Sequence, residues 1–185
     1  MLAKIIQQHD AAVASLLEQQ DTINAMAQVL SDCVLQGGTI YLCGNGGSAA
    51  DCQHIAAELV GRFKRERSGY AAVALTTDTS ILTAVGNDYG FESVFSRQVD
   101  ALACAGDVLL CFSTSGESIN VVSAAELART LGVTVLAFTG NFRNSALSKQ
   151  AHHTLCVGST DTARVQECHI LVGHILCDMV EQYVE

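Results

Sequence analysis

Five short apolar runs, each followed by a turn and a helical pattern, constrain this chain more than any other feature. They are TIYLCG (39–44), AAVAL (71–75), DVLLCFS (107–113), VTVLAFTG (133–140) and HTLCVG (153–158). A strand that is apolar along its whole length is covered on both faces, which is the habit of parallel sheets. The segments between the runs carry helical periodicity and supply the crossovers that parallel strands need. The expectation is an α/β fold, a parallel five-stranded sheet flanked by helices on both faces. Two helices precede it, over 2–19 and 22–36, stopped by Gly37 and Gly38. Further helices are expected over about 48–62, within 76–90 (a short one with a loop), over 91–103, from the 114–118 turn to about 131, and from about 162 to 184. No repeat, linker or low-complexity segment breaks the 185 residues, so they read as one domain with enough material for a sizeable core.

Composition narrows the partners. Hydrophobic residues make up 49% and charged residues 16%, too little polar cover for a lone monomer, so apolar surface is expected between subunits. A net charge of −9 argues against a nucleic-acid or anionic-membrane surface. The one dense basic cluster, KRERS (64–68), reads as a solvated helix end. The start reads as an amphipathic helix, not a signal peptide, and no run of 18 apolar residues exists to span a membrane. Eight cysteines lie mostly in apolar runs without a C-x-x-C pair, the pattern of reduced core thiols in a cytoplasmic protein.

Two turns carry chemistry. GNGGS (44–48) ends a strand and opens a helix, so Asn45, Gly46, Gly47 and Ser48 present backbone N–H groups and a helix N-terminus to an anion. GNGGSA also fits the dinucleotide fingerprint G-x-G-x-x-A, with Asp78 as a late candidate for the acidic partner. The second turn, STSGES (113–118), decides against it. Ser113, Thr114, Ser115 and Ser118 can wrap a phosphate with hydroxyl donors and no lysine. One such turn is usually an ordinary helix cap. Two on one sheet point to a phosphate-bearing small molecule.

His54 and Glu58 sit four residues apart on one helical face. The last helix, RVQECHILVGHILCDMVE, adds Gln166, His169 and His174. Gln166 and His174 are separated by about 12 Å along a helix axis. A metal shared by both lies near their reach, or one ligand comes from a neighbouring subunit. His169 reads as an outer group or a decoy, and His152 and His153 as surface residues.

The stretches CGNGGSAADCQHIAAELVGRF, TTDTSILTAVGNDYGFESVFSRQV, GDVLLCFSTSGESINVV and RVQECHILVGHILC together resemble the bacterial phosphoheptose isomerases of the sugar isomerase (SIS) group. The resemblance covers nearly the whole chain, with four motifs in order. It implies the SIS-type, flavodoxin-like three-layer sandwich. It implies a cytoplasmic homotetramer with active sites between subunits, the N-terminal helical pair serving in assembly. It implies conversion of sedoheptulose 7-phosphate to D-glycero-D-manno-heptose 7-phosphate, the first step toward lipopolysaccharide heptose. Carried over by position, Asn45, Gly46, Gly47, Ser48, Glu58, Asn87, Asp88, Ser113, Thr114, Ser115, Ser118 and Gln166 would bind substrate. His54, Glu58, Gln166 and His174 would hold a zinc ion, with Glu58 as base and His174 as acid. A carboxylate that is a tight ligand is not free as a base, so Glu58 is held loosely or works through its second oxygen. The resemblance leaves two other readings open. One is a non-catalytic SIS protein that binds a partner, the other an isomerase of a shorter phosphosugar.

Overall fold

The computed structural model describes residues 1–184. The chain opens with α1 (Leu2–Ala14), a 3-10 turn (Ser15–Gln19) and α2 (Gln20–Leu35). Then β1 (Ile40–Gly44), α3 (Gly47–Val60), β2 (Ala72–Ala74), α4 (Thr79–Tyr89), α5 (Ser96–Leu102) and β3 (Val108–Phe112) follow. The remainder is α6 (Ile119–Thr130), β4 (Thr134–Thr139), α7 (Ala146–Gln150), β5 (His153–Cys156) and α8 (Thr162–Tyr183). All strand pairs are parallel and the order is β2-β1-β3-β4-β5.

Both faces of the sheet are covered, which is why its strands are continuously apolar. Ile40, Leu42, Leu110 and Leu136 face a core closed by α2, α3 and α8. Tyr41, Cys43, Leu109, Cys111 and Val135 face a second core closed by α5, α6 and α7. The chain leaves β1 for β2 on one side and resumes at β3 on the other. The crevice between the carboxyl ends of β1 and β3 is therefore the switch point at which such sheets bind ligands. Register places Gly44 beside Phe112, so the two turns read from sequence emerge side by side.

Three expectations need correction. The helix after the glycine turn stops at Val60, and 61–71 is a loop packed on α8. The KRERS stretch is accordingly no solvated helix end: the Arg67 side chain is 11% exposed and paired with buried Glu181. The short helix α7 was not foreseen; Ser145 caps it by accepting the Ser148 N–H. All eight cysteines are free thiols and only Cys104 is exposed. Among the described residues no helix is long and apolar enough to cross a membrane.

Candidate active site

The glycine turn is built by its backbone. Gly46 has φ +57° and ψ −121°, a conformation closed to L side chains at ordinary cost, and α3 begins at the next residue. Ser48 is buried in the first turn. Asn45 does not point freely into the crevice. Its amide exchanges two hydrogen bonds of 2.8 Å with that of Asn120, which is 3% exposed on the first turn of α6. This amide pair fastens the glycine turn to the helix that follows the second turn.

In that second turn the hydroxyls are not spent on capping. Ser118 stands at the N-cap of α6 but makes no side-chain cap bond, and α3 is likewise uncapped by a side chain. The Ser118 hydroxyl instead lies 2.9 Å from that of buried Ser113. Ser113 Oγ also accepts the Gly116 N–H, and Ser115 Oγ accepts the Glu117 N–H. Thr114 is held through its carbonyl, which accepts the Gly140 N–H. The ordinary reading of these serines as helix caps does not describe them. Asp78, the alternative acidic partner, is itself the N-cap of α4, accepting the Ile81 N–H at 2.9 Å. The dinucleotide reading thereby loses its ribose ligand.

The histidines and glutamate converge between α3 and α8. Gly173 eases this approach: a Cβ there would fall 2.6 Å from Ile55 Cδ1, so the buried Ile55 side chain would have to shift. His54 Nε2 lies 2.9 Å from His174 Nε2 and 3.5 Å from Glu58 Oε1. Donor atoms of His54, Glu58 and His174 all lie within 4.8 Å of one another. Neighbouring ligands of a tetrahedral zinc stand about 3.3 Å apart, given bonds near 2.0 Å, so this nitrogen and oxygen donor set fits such an ion. The His174 imidazole stacks on Phe63, rings 5.5 Å apart and 14° from parallel.

Other foreseen residues lie elsewhere. Gln166 stands in the first turns of α8. Its amide sits over the glycine turn, where a Cβ on Gly47 would meet Gln166 Nε2 at 2.7 Å. Gly47 and His54 are about 10 Å apart along α3. Asn87 and Asp88 are exposed at the end of α4, bonded to each other at 2.7 Å. His169 is buried against Phe112 and Phe138, held neutral by burial with its pKa down to about 4.

Asp51 was missed. It lies on the stripe of α3 that carries His54 and Glu58, at i, i+3 and i+7 spacing, and that spacing was visible in the sequence. Burial pushes its carboxyl up to about 6, against the opposing pull of His54, and its Oδ2 has no hydrogen-bond partner.

Known proteins are similar to this one along nearly the whole chain. Residues 6–140 match the family described as SIS domain. The phosphoheptose isomerase of Aquifex aeolicus is 53% identical over 173 residues, covering 94% of this chain and 89% of its own length. The solved phosphoheptose isomerase from Neisseria gonorrhoeae superposes with TM-score 0.87 at 44% identity, over 98% of this chain and 95% of that one. A second, from Francisella tularensis, gives TM-score 0.89 at 37% identity, over 98% of both.

Proposed function

Since the chain belongs to the SIS-domain family and, within it, to the phosphoheptose isomerases, we propose that it interconverts sedoheptulose 7-phosphate and D-glycero-D-manno-heptose 7-phosphate in heptose biosynthesis. One observation carries the reading. At one switch point a hydroxyl-lined turn stands beside the glycine turn, which opens α3, the helix that carries His54 and Glu58 of the carboxylate–imidazole cluster. The first turn of α3 and His54 stand about 10 Å apart. An extended seven-carbon sugar phosphate has a span on the order of 10 Å, from bonds near 1.5 Å.

The phosphate is held by Ser113, Thr114, Ser115 and Ser118 together with the N–H groups opening α3 at Gly46, Gly47 and Ser48. Asn45 shapes this cradle, and Gln166 faces the same turn. Glu58 takes a proton from C1 of the ketose while His174 gives one to the carbonyl oxygen at C2, forming the enediol. Glu58 then delivers its proton to C2, and His174 recovers one from the C1 hydroxyl, leaving an aldehyde. Atoms and charge balance over the cycle. His54, Glu58 and His174 would hold zinc, which when bound polarises the substrate carbonyl. The placement of Gln166 in this chain supports the alternative that its metal contact comes from a neighbouring subunit. Glu58 turns one oxygen toward His54, and its second oxygen serves as base.

The assembly is a homotetramer of single-domain subunits with sites between them. Exposed Leu2, Ile6, Leu17 and Leu35 on the N-terminal helices support their use in assembly, and the exposure of Asn87 and Asp88 supports a substrate contact made across a subunit boundary. Free buried thiols support a cytoplasmic location. The test compares turnover of five-, six- and seven-carbon ketose phosphates. The heptulose phosphate is expected to be preferred at least tenfold in kcat/KM, and equal rates would sink the length argument.

A further inference from the structure

The loop after α3 carries a buried ion pair that the reaction does not use, and it ends against the reaction's histidine. Glu181, 1% exposed on α8, accepts four hydrogen bonds. Its Oε1 takes the Phe63 N–H at 2.8 Å and Arg67 Nε at 3.0 Å. Its Oε2 takes the N–H groups of Lys64 at 2.9 Å and Arg65 at 3.0 Å. Arg67 Nη1 donates to the carbonyls of Leu59 at 2.9 Å, at the open end of α3, and of Ser68 at 3.0 Å, and Nη2 donates to the carbonyl of Glu58 itself at 3.0 Å. A charged pair buried this deeply costs desolvation that packed apolar residues would avoid, so stability alone is a weak reason for it.

Its position supplies a better one. Glu181 lies seven residues beyond His174, two turns along the same face of α8. Fixing three consecutive N–H groups of the loop to that face sets where Phe63 goes. Phe63 stacks flat on the His174 ring, and Lys64 adds a 2.7 Å ion pair to Asp178 one turn from His174. Arg67 meanwhile pins the backbone of Glu58. One carboxylate thus fixes the ring plane of the acid from one side and the helix end of the base from the other. We propose that Glu181, through Arg67 and Phe63, is a positioning residue that holds the His174 imidazole and Glu58 in register for proton transfer and metal binding. This inference rests on the isomerase reading of the cluster.

The test uses the full chain with Glu181→Gln and, separately, Phe63→Leu and Phe63→Tyr. Steady-state kinetics on sedoheptulose 7-phosphate are measured beside the rate at which zinc-loaded protein yields its ion to a chromophoric chelator. Glu181→Gln and Phe63→Leu are expected to lower kcat at least tenfold with KM within threefold, and to speed zinc release at least tenfold. Phe63→Tyr keeps the flat ring and is expected to restore both to within threefold of the unmodified protein. Variants that melt earlier yet match the unmodified protein within twofold in kcat and zinc release would reduce the pair to a structural brace. If Glu181→Gln does not fold, Phe63→Leu decides alone, since it leaves all four bonds to Glu181 in place. Failure of the unmodified protein to turn over the heptulose phosphate would break the isomerase reading instead, and zinc release would still judge the positioning role.

Discussion

Asn120→Ala removes the bridge between the two phosphate turns and nothing from the reacting cluster. Three hydrogen bonds disappear, two to the Asn45 amide at 2.8 Å and one to the Val121 N–H at 3.0 Å. Each neutral bond nets about 1 kcal/mol. Asn45 is only half-buried and its stranded amide can turn to water, so the expected loss is about 2–3 kcal/mol and not the full penalty of a buried orphan. In a domain of this size each kcal/mol moves Tm by roughly 2–4 °C, which gives a fall of roughly 5–10 °C. The loosened glycine turn should raise KM about tenfold while kcat changes little, the signature of lost uniform binding. Thermal melts and steady-state kinetics on Asn45→Ala, Asn120→Ala and the double variant make the cycle. Because both amides belong to one pair, the double variant should cost barely more than either single one, with coupling of about 1–2 kcal/mol. Strictly additive losses would refute the claim that the amides act as one clasp.

Other outcomes follow from the same geometry. Glu58→Gln should leave the assembly intact by light scattering while turnover falls at least a hundredfold, since general-base catalysis contributes on the order of 10²–10⁴; residual activity above about a tenth of wild type would remove Glu58 as base. Ser113→Ala and Ser118→Ala should each raise KM more than they lower kcat, and an unchanged KM in both would move the phosphate elsewhere. Burial alone would raise the Glu181 carboxyl, but three N–H donors and Arg67 outweigh it and lower it below its ordinary 4.5. A depressed carboxyl contributes stability above its unfolded value that is lost as pH falls through the folded one. The Tm gap between wild type and Glu181→Gln should therefore be widest above about pH 5 and close on acidification; a gap independent of pH would contradict this.

Much of the fold was legible because each strand announces itself. An unbroken apolar run such as VLLCF (108–112) has no polar face to offer water, so it must be a covered strand, and the alternation of strands with helices then leaves few topologies. The two turns were legible because Gly46 and the hydroxyls of 113–118 serve backbone and side-chain chemistry that few other residues supply. What escaped depends on partners distant in the chain. KRERS looks solvated until Glu181, more than a hundred positions later, is placed beneath it. Helix arithmetic spaces Gln166 from His174 along α8, but only the parallel packing of α3 on α8 puts the Gln166 amide over Gly47. Asn120 carries no motif of its own, and its role exists only because β1 and β3 are neighbours. Asp51 differs: its spacing to His54 and Glu58 is visible in the sequence, and only its burial depends on the fold.

The central claim is that a phosphosugar is isomerised at the His54, Glu58 and His174 cluster with a metal's help. The most direct measurement is NMR-followed turnover of sedoheptulose 7-phosphate by the full chain, as prepared, after chelation, and after zinc is restored. The account predicts an aldose heptose 7-phosphate product, loss of turnover on chelation and its return with zinc. Turnover indifferent to chelator would contradict the metal's part in the chemistry, and no turnover under any of the three conditions would contradict the isomerase itself.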